Sequence, residues 1–473
     1  MGFLDYIPWH DETYLVELGR QFLCGGDATT TLLNPDGTPM MPLFYLGPCL
    51  QELAYRAFGV WGVRLSPFVG LVVMGFLFRL FVKRTTMLRR LELNLLMVLA
   101  MTVPLCFQSA ALARLDTWSL AFVFAALVCL VGSEKGIGHL IGAAVCAAVS
   151  VFMWPTAGIL LPLYLVVGFR SRAEARGMIL FCLFGLAAVA ILCVPLVWNW
   201  SVVMHAFAGH CDDSFHRLDL LSIVMPFVGE VVRAPFLLGL AVVGLVSWVM
   251  RRAWGMIAAF VFSLGACIVM TPHLFRIVFL TPFILLMCAE AMERLNVRHG
   301  KICRGAVWCA VVYGLLAGPI LTPFVKHPML EAGLKEKLEA VVGRGPRRVF
   351  AMDRAAYYIG RELGWAQFGY AAPGHNGKRE LAQPLLEGAD VVITQDFDKY
   401  VPTQQCASLF VLFCKYVLEA ARAEEEVTME EKSSAARFGS THTTIWRDKI
   451  QLPGFVEAAH VGVVHAYVRE GVK

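Results

Sequence analysis

The sequence predicts an α-helical, polytopic membrane protein of about ten spans, with a small soluble α/β domain at its C-terminal end. Three observations carry this. Of 473 residues, 58% are hydrophobic and only 16% charged, with a mean hydropathy of +0.63, far from the balance of a soluble globular chain. Apolar stretches close to the length that crosses a bilayer recur from Arg64 to about residue 323. After about residue 324, Lys, Glu, Arg and turn residues return. The net charge of +5 is small and spread out, so it gives no footprint for nucleic acid. The 14 cysteines lack metal-type spacing. Most lie inside apolar segments (Cys129, Cys146, Cys182, Cys193, Cys267, Cys288), where a thiol acts as a small hydrophobe.

Three regions follow: 1–62, 63–323 and 324–473. The first opens on Pro8-Trp9-His10-Asp11-Glu12-Thr13-Tyr14, polar and aromatic rather than basic then apolar, so no cleavable signal peptide is expected. Residues 12–24 read as an amphipathic helix with Leu15, Leu18 and Phe22 on one face. Asn34-Pro35-Asp36-Gly37-Thr38-Pro39 is turn chemistry. Residues 43–58 mix apolar positions with Gln51, Glu52 and Arg56, which favours an interfacial helix over a span. Spans are expected near 64–83, 93–111, 116–132, 137–153, 155–170, 177–198, 234–250, 255–271, 273–292 and 303–323.

The connections set the topology. One alternate set holds Lys83, Arg84, Arg89 and Arg90, then Lys135, then Arg170, Arg172 and Arg176, then Arg251 and Arg252, then Arg294, Arg298, Lys301 and Arg304. The positive-inside rule makes these cytoplasmic. The opening loop, the turns at 111–116, 153–156 and 271–276, the loop 199–233 and everything after 323 then face outward. The opening loop is outward with no helix before it, and one span upstream is the preferred explanation over unaided translocation. In the last region, 347–352 and 389–394 read as strands, 354–363 as a helix, and 441–447 and 461–468 as returning strands. Residues 406–425 read as a packed helix and 423–437 as a solvated linker.

Candidate functional residues lie on the outward side. Asp11 and Glu12 are adjacent carboxylates at a helix start, where capping and dipole chemistry is the plain alternative. Asp116, in Ala113-Arg114-Leu115-Asp116-Thr117-Trp118, is the only aspartate between residues 37 and 211. Ionisable groups at membrane depth are functional candidates, with an N-cap paired to Arg114 as the alternative. Arg276 lies between two apolar spans, suited to clamp a phosphate or to snorkel. The loop 205–219 gathers His205, His210, Cys211, Asp212, Asp213, His216, Arg217 and Asp219, a set for a metal or polar headgroup, though without zinc-site spacing. Trp154, in Trp154-Pro155-Thr156, is a belt residue or a platform for a sugar ring.

Taken in order, these features resemble the GT-C superfamily of polytopic glycosyltransferases. They are the outward Asp11-Glu12 loop, the Asp36-Gly37-Thr38-Pro39 turn with Met41-Pro42-Leu43-Phe44-Tyr45, Phe58-Gly59-Val60 leading into Val63-Arg64-Leu65-Ser66-Pro67, and Ala113-Arg114-Leu115-Asp116. The resemblance is closest to the protein mannosyltransferase and aminoarabinose transferase (family 39-like) branch, and it covers residues 8–132 best. It implies a polyprenyl- or dolichyl-phosphate sugar donor held at the outer membrane face. It implies an acidic general base, here Asp11 with Glu12 beside it, inverting transfer to a protein, lipid or glycan acceptor, and no metal or other cofactor. Asp116 would support the acceptor site or Asp11, and Arg276 would hold the lipid phosphate. The branch often has a Glu-Lys pair where this chain has Met40 and Met41, and a basic residue near Trp154-Pro155-Thr156. Arg64, Arg114 or Arg276 would have to replace those phosphate contacts. The expected setting is a bacterial inner membrane, multi-pass, with the site on the outer face. A transporter or flippase of a lipid-linked substrate, and an inactive relative serving as a scaffold, are the alternatives; the first would be expected to show inverted repeats, which the sequence lacks.

Overall fold

The computed structural model describes residues 10–25, 44–132, 136–170, 175–197, 200, 204, 227, 230–231, 234–269, 274–316, 333–351, 355–368, 388–395, 452, 454–461 and 464–471. Helix α1 (His10–Gly25) buries Leu15 and Leu18, the face its periodicity predicts. Helix α2 (Leu46–Thr85) joins the expected interfacial segment to the first span. The join is a corner at Gly59, with φ 61° and ψ −150°, a region that glycine enters without a Cβ penalty. Leu53, Phe58 and Trp61 are exposed around that corner, as suits a helix lying at a lipid interface.

The single span expected at 93–111 is two helices, α3 (Arg90–Met101) and α4 (Pro104–Ala111), bent by 47°. Pro104 has no N–H to continue the first helix, and the Thr102 hydroxyl donates back to the Val98 and Leu99 carbonyls. Helices α5 (Asp116–Val131), α6 (Ile137–Met153), α7 (Leu161–Arg170, entered through a 3-10 turn at Pro155–Leu160), α8 (Ala175–Val197), α9 (Pro235–Met250) and α10 (Trp254–Val269) follow the apolar runs. A short helix α11 (Leu274–Ile277) and a 3-10 turn lead into α12 (Thr281–Leu315).

Two expected spans, 273–292 and 303–323, meet in α12, which cannot run straight. Cys288 Sγ lies 3.6 Å from the Leu237 carbonyl oxygen, and the Tyr313 ring lies 5.7 Å from that of Phe236. A straight helix would hold residues 288 and 313 roughly 37 Å apart. The element therefore doubles back through the basic stretch 294–304. The basic turns gather at this end of the bundle. Met87 N donates to Glu293 at 3.1 Å, Arg251 and Arg294 both bond Glu290, and Arg84 donates to the Val128 carbonyl.

Among the described residues, α2 and α8 are long and apolar enough to cross a bilayer, three segments qualify if the bent α3–α4 pair is one, and six apolar helices are shorter. The ten expected spans are thus not matched one by one at full length. A 16-residue helix reaches about 24 Å against roughly 30 Å of hydrocarbon. The chain is nonetheless an integral membrane protein by its surface: Ile179, Leu183, Leu186 and Ile191 on α8 are all largely exposed, a continuous apolar face that lipid covers. The helices approach closely where α9 meets α12. A Cβ on Gly244 would overlap the Met287 carbonyl, so the two backbones touch through the missing side chain. Gly244→Ala is expected to destabilise the bundle by about 1–3 kcal/mol. A detergent melting curve unchanged from the parent would refute this contact.

The C-terminal region holds α13 (Leu334–Val342), α14 (Ala355–Leu363) and a five-stranded sheet. Strands β1 (Arg348–Ala351), β2 (Ala366–Phe368), β3 (Val391–Gln395), β4 (Phe455–Val461) and β5 (Val464–Arg469) lie in the order β2-β1-β3-β5-β4. β1 pairs in parallel with β2 and β3, and α14 makes the crossover between β1 and β2. β5 runs antiparallel to both β3 and β4. Leu338, Val349, Ile359, Val391, Ile393 and Ala466 form its core. The strand expected at 461–468 starts at Val464, and β2 and β4 are additions to the sequence reading. The expected strand 441–447, helix 406–425 and linker 423–437 lie outside the described residues.

Candidate active site

At the end of the bundle away from the basic turns, the chain between α4 and α5 makes a tight, strained turn. Ala113 has φ 55°, a left-handed conformation uncommon for a residue with a Cβ. Its carbonyl accepts from the buried Gln51 Nε2 at 2.6 Å, and Arg114 N donates back to the Ser109 carbonyl at 3.1 Å. This geometry aims Arg114 at Asp116. Arg114 Nε donates to Asp116 Oδ2 at 2.9 Å, and the Ser109 hydroxyl donates to the same oxygen. Asp116 is fully buried and is the first residue of α5 rather than its cap. Its other oxygen, Oδ1, is buried and accepts no hydrogen bond from the described residues. A buried carboxylate oxygen left so is costly, and it offers an acceptor to a hydroxyl or amine donor.

Around this carboxylate stand cations and rings. The Arg114 guanidinium carbon sits 4.5 Å from the Trp154 ring centroid, and Trp154 packs on Phe44 at 4.9 Å. Arg276, half-buried in α11, is close enough to Arg114 for their charges to oppose each other. The structure thus brings Asp116, Arg114 and Trp154 to one place, with the positive charge of Arg276 within electrostatic reach of the pair. Ser109 and Gln51 join them and were missed from sequence, because a serine or glutamine in an apolar helix carries no distinctive spacing. Glu230, read as part of an outer loop, is buried and shares with Asp116 an electrostatic reach to Cys106.

Glu12 and Arg64 lie in a different cluster. Glu12 Oε1 accepts from Arg64 Nε at 3.0 Å and from Tyr358 Oη at 3.1 Å. Glu17 accepts from Arg20 at 2.7 Å, from Gln21 at 2.9 Å and from Tyr357 Oη at 2.9 Å. Glu52 accepts from Arg56 at 2.9 Å and, through both oxygens, from Arg361 at 2.6 and 3.0 Å. Tyr55 stacks on Tyr358 at 5.4 Å, with the Arg361 guanidinium 4.2 Å from the Tyr55 centroid. Three glutamates on the membrane-proximal helices therefore hold α14 of the soluble domain. Val16, Leu18, Val63, Ala113, Tyr357 and Tyr358 close over them as one apolar cluster, so α1 packs against the turn that carries Arg114. Asp11 is in the first turn of α1, and its side chain lies outside the described residues, as do His210, Met40 and Met41.

Burial pushes the Glu17 carboxyl up, but the hydrogen bond and charge of Arg20, with Gln21 and Tyr357, outweigh it and hold the carboxyl below its ordinary value. A carboxyl depressed in the folded state adds stability that is full above its unfolded pKa of about 4.3. That stability is lost as pH falls through the lower folded value. Contact between α14 and α1 is expected to loosen below about pH 4, and Glu17→Gln to flatten this dependence. Hydrogen exchange of residues 355–363 against pH checks it; a profile identical in parent and variant would count against the role.

No protein-family model matches the chain, and no curated protein matches it in sequence. Among solved structures, the fold is similar to that of ArnT from Cupriavidus metallidurans. The apo structure of that protein superposes with a TM-score of 0.54 at 12% identity, over 98% of this chain and 94% of ArnT. ArnT bound to undecaprenyl phosphate gives 0.54 at 13% identity, over 98% of this chain and 95% of the other.

Proposed function

We propose that the chain is a membrane glycosyltransferase that moves a sugar from a polyprenyl- or dolichyl-phosphate carrier to an acceptor hydroxyl on the outer face of the membrane. The observation that carries this reading is the buried Asp116–Arg114–Ser109 cluster, with Arg276 beside it, at one end of an ArnT-like fold. The undecaprenyl phosphate held by ArnT supports a lipid phosphate as the partner.

In the reaction, the acceptor oxygen attacks the anomeric carbon from the face opposite the phosphate, which inverts the centre. Its proton passes to the Asp11 carboxylate. The bond from the anomeric carbon to the phosphate oxygen breaks, and the lipid phosphate leaves with the extra negative charge. Arg276 and Arg114 stabilise that charge, so the role falls to guanidinium groups rather than to a divalent ion. Asp116 Oδ1 accepts from the acceptor or the sugar. Trp154 offers a face for the sugar ring. Glu12 acts by placing α1, since Arg64 and Tyr358 hold its carboxylate.

The test has two parts. Cells with and without the gene are compared by mass spectrometry of glycans and lipid-linked sugars; loss of one glycan with accumulation of its lipid-linked precursor is expected. Arg276→Ala in the purified protein is expected to weaken polyprenyl phosphate binding by about tenfold or more, the worth of one charge-assisted hydrogen bond. Unchanged glycans together with unchanged lipid affinity would overturn the assignment.

A further inference from the structure

We propose that the β4–β5 hairpin of the soluble domain carries a site for a divalent transition metal of the zinc type, formed by Glu457, His460 and His465. One carboxylate and two imidazoles are the donor set of open zinc and related sites. Here the three side chains offer ligand atoms all within 4.8 Å of one another.

The strand pairing does not give this arrangement by default. Side chains alternate across a strand, so residues 457 and 460, an odd number apart on β4, would face opposite sides of a regular sheet. The register of β4 against β5 slips between Glu457 and Ala459. Such a bulge adds one residue and re-aims the side chains beside it, which brings Glu457 to the face of His460. His465 stands directly opposite His460 in the ladder. Their rings stack at 4.0 Å, and His465 Nδ1 lies 2.8 Å from Glu457 Oε1.

The three groups also differ in freedom in a useful way. His465 is 4% exposed and fixed by its surroundings, while Glu457 and His460 are exposed. Two ligands on a tetrahedral zinc, each about 2.0–2.1 Å from the ion, stand roughly 3.4 Å apart. Closing the set around an ion therefore asks His460 to swing off the stack and Glu457 to shift by about half an ångström, both open to solvent. The remaining coordination positions go to water. The site shares no residue with the Asp116 cluster. It lies on the edge hairpin of the sheet, where an unpaired strand is a liability, and an ion there would tie β4 to β5.

The full-length protein in detergent, stripped with a chelator, is titrated with zinc chloride by calorimetry beside His460→Ala and Glu457→Gln. The parent is expected to take up one more zinc per chain than His460→Ala, and Glu457→Gln to bind that ion at least tenfold more weakly. Magnesium chloride is expected to give no such step. Cobalt(II) added to the parent should give visible bands of nitrogen and oxygen ligation that are lost in His460→Ala. Equal zinc stoichiometry and affinity in all three proteins would mean that the metal binds elsewhere, and would overturn the proposal. A parent chain that yields no cobalt spectrum would overturn it independently, whatever the folding of the variants.

Discussion

Asp11→Asn is expected to lower sugar transfer by about 10²–10⁴-fold, the range for loss of a general base. The amide keeps the shape of the carboxyl but takes no proton at working pH. The substitution should leave the amount of folded protein unchanged, because α1 is anchored through its neighbours. Glu12 and Glu17 make the contacts to Arg64, Tyr358 and Tyr357, and Leu15, Val16 and Leu18 supply the buried apolar face. The measurement is product formed per folded protein in membrane vesicles carrying each variant. Parental turnover in Asp11→Asn would remove the residue from the chemistry. A drop in both turnover and folded protein would mark it as structural.

Arg64→Ala is expected to destabilise the protein by about 3–5 kcal/mol, the loss when one partner of a buried ion pair is removed. Both side chains are out of water, Arg64 at 3% exposure and Glu12 at 0%. The variant removes the guanidinium donor from a buried carboxylate that also accepts from the Tyr358 hydroxyl. That is a large share of a marginal folding free energy, and a fall in melting temperature in detergent reads it directly. The control is Glu12→Gln combined with Arg64→Met, which removes both charges and is expected to recover most of the loss, as replacement of a whole buried pair often does. If Arg64→Ala melts with the parent, the pair is not buried as described. If the double variant recovers stability and transfer, Glu12 serves the fold and not the proton transfer.

Much of the bundle was legible because apolar runs and their turn residues speak locally. Ile137–Met153 matches the predicted span at both ends, flanked by Gly136 and by Trp154-Pro155. The bend between α3 and α4 was written in Pro104 but needed weighting as a break. The corner at Gly59 was not legible, since a single glycine between helical segments does not declare a positive φ. Arg114 and Asp116 were readable as a pair because they are two residues apart. That Arg276 comes within electrostatic reach of Arg114 was not, since it depends on how α11 meets α4. Least legible was the docking of the soluble domain. Its contacts join residues 309 to 346 positions apart, and no local pattern in either partner announces the other. The edge strand β4 was missed because polar and apolar residues fail to alternate across its bulge.

The grip of Tyr357 and Tyr358 on Glu17 and Glu12 has a genetic corollary. Those glutamates are five residues apart on α1, and adjacent tyrosines on α14 hold both. The first helix then cannot slide or rotate by one position without breaking one of the two contacts. The azimuth of residue 11 is dictated from the far end of the gene. Selection for restored growth in a strain weakened by a lesion in α1 should return second-site changes clustered in 355–363, and lesions in 355–363 should behave as partial losses of the N-terminal site.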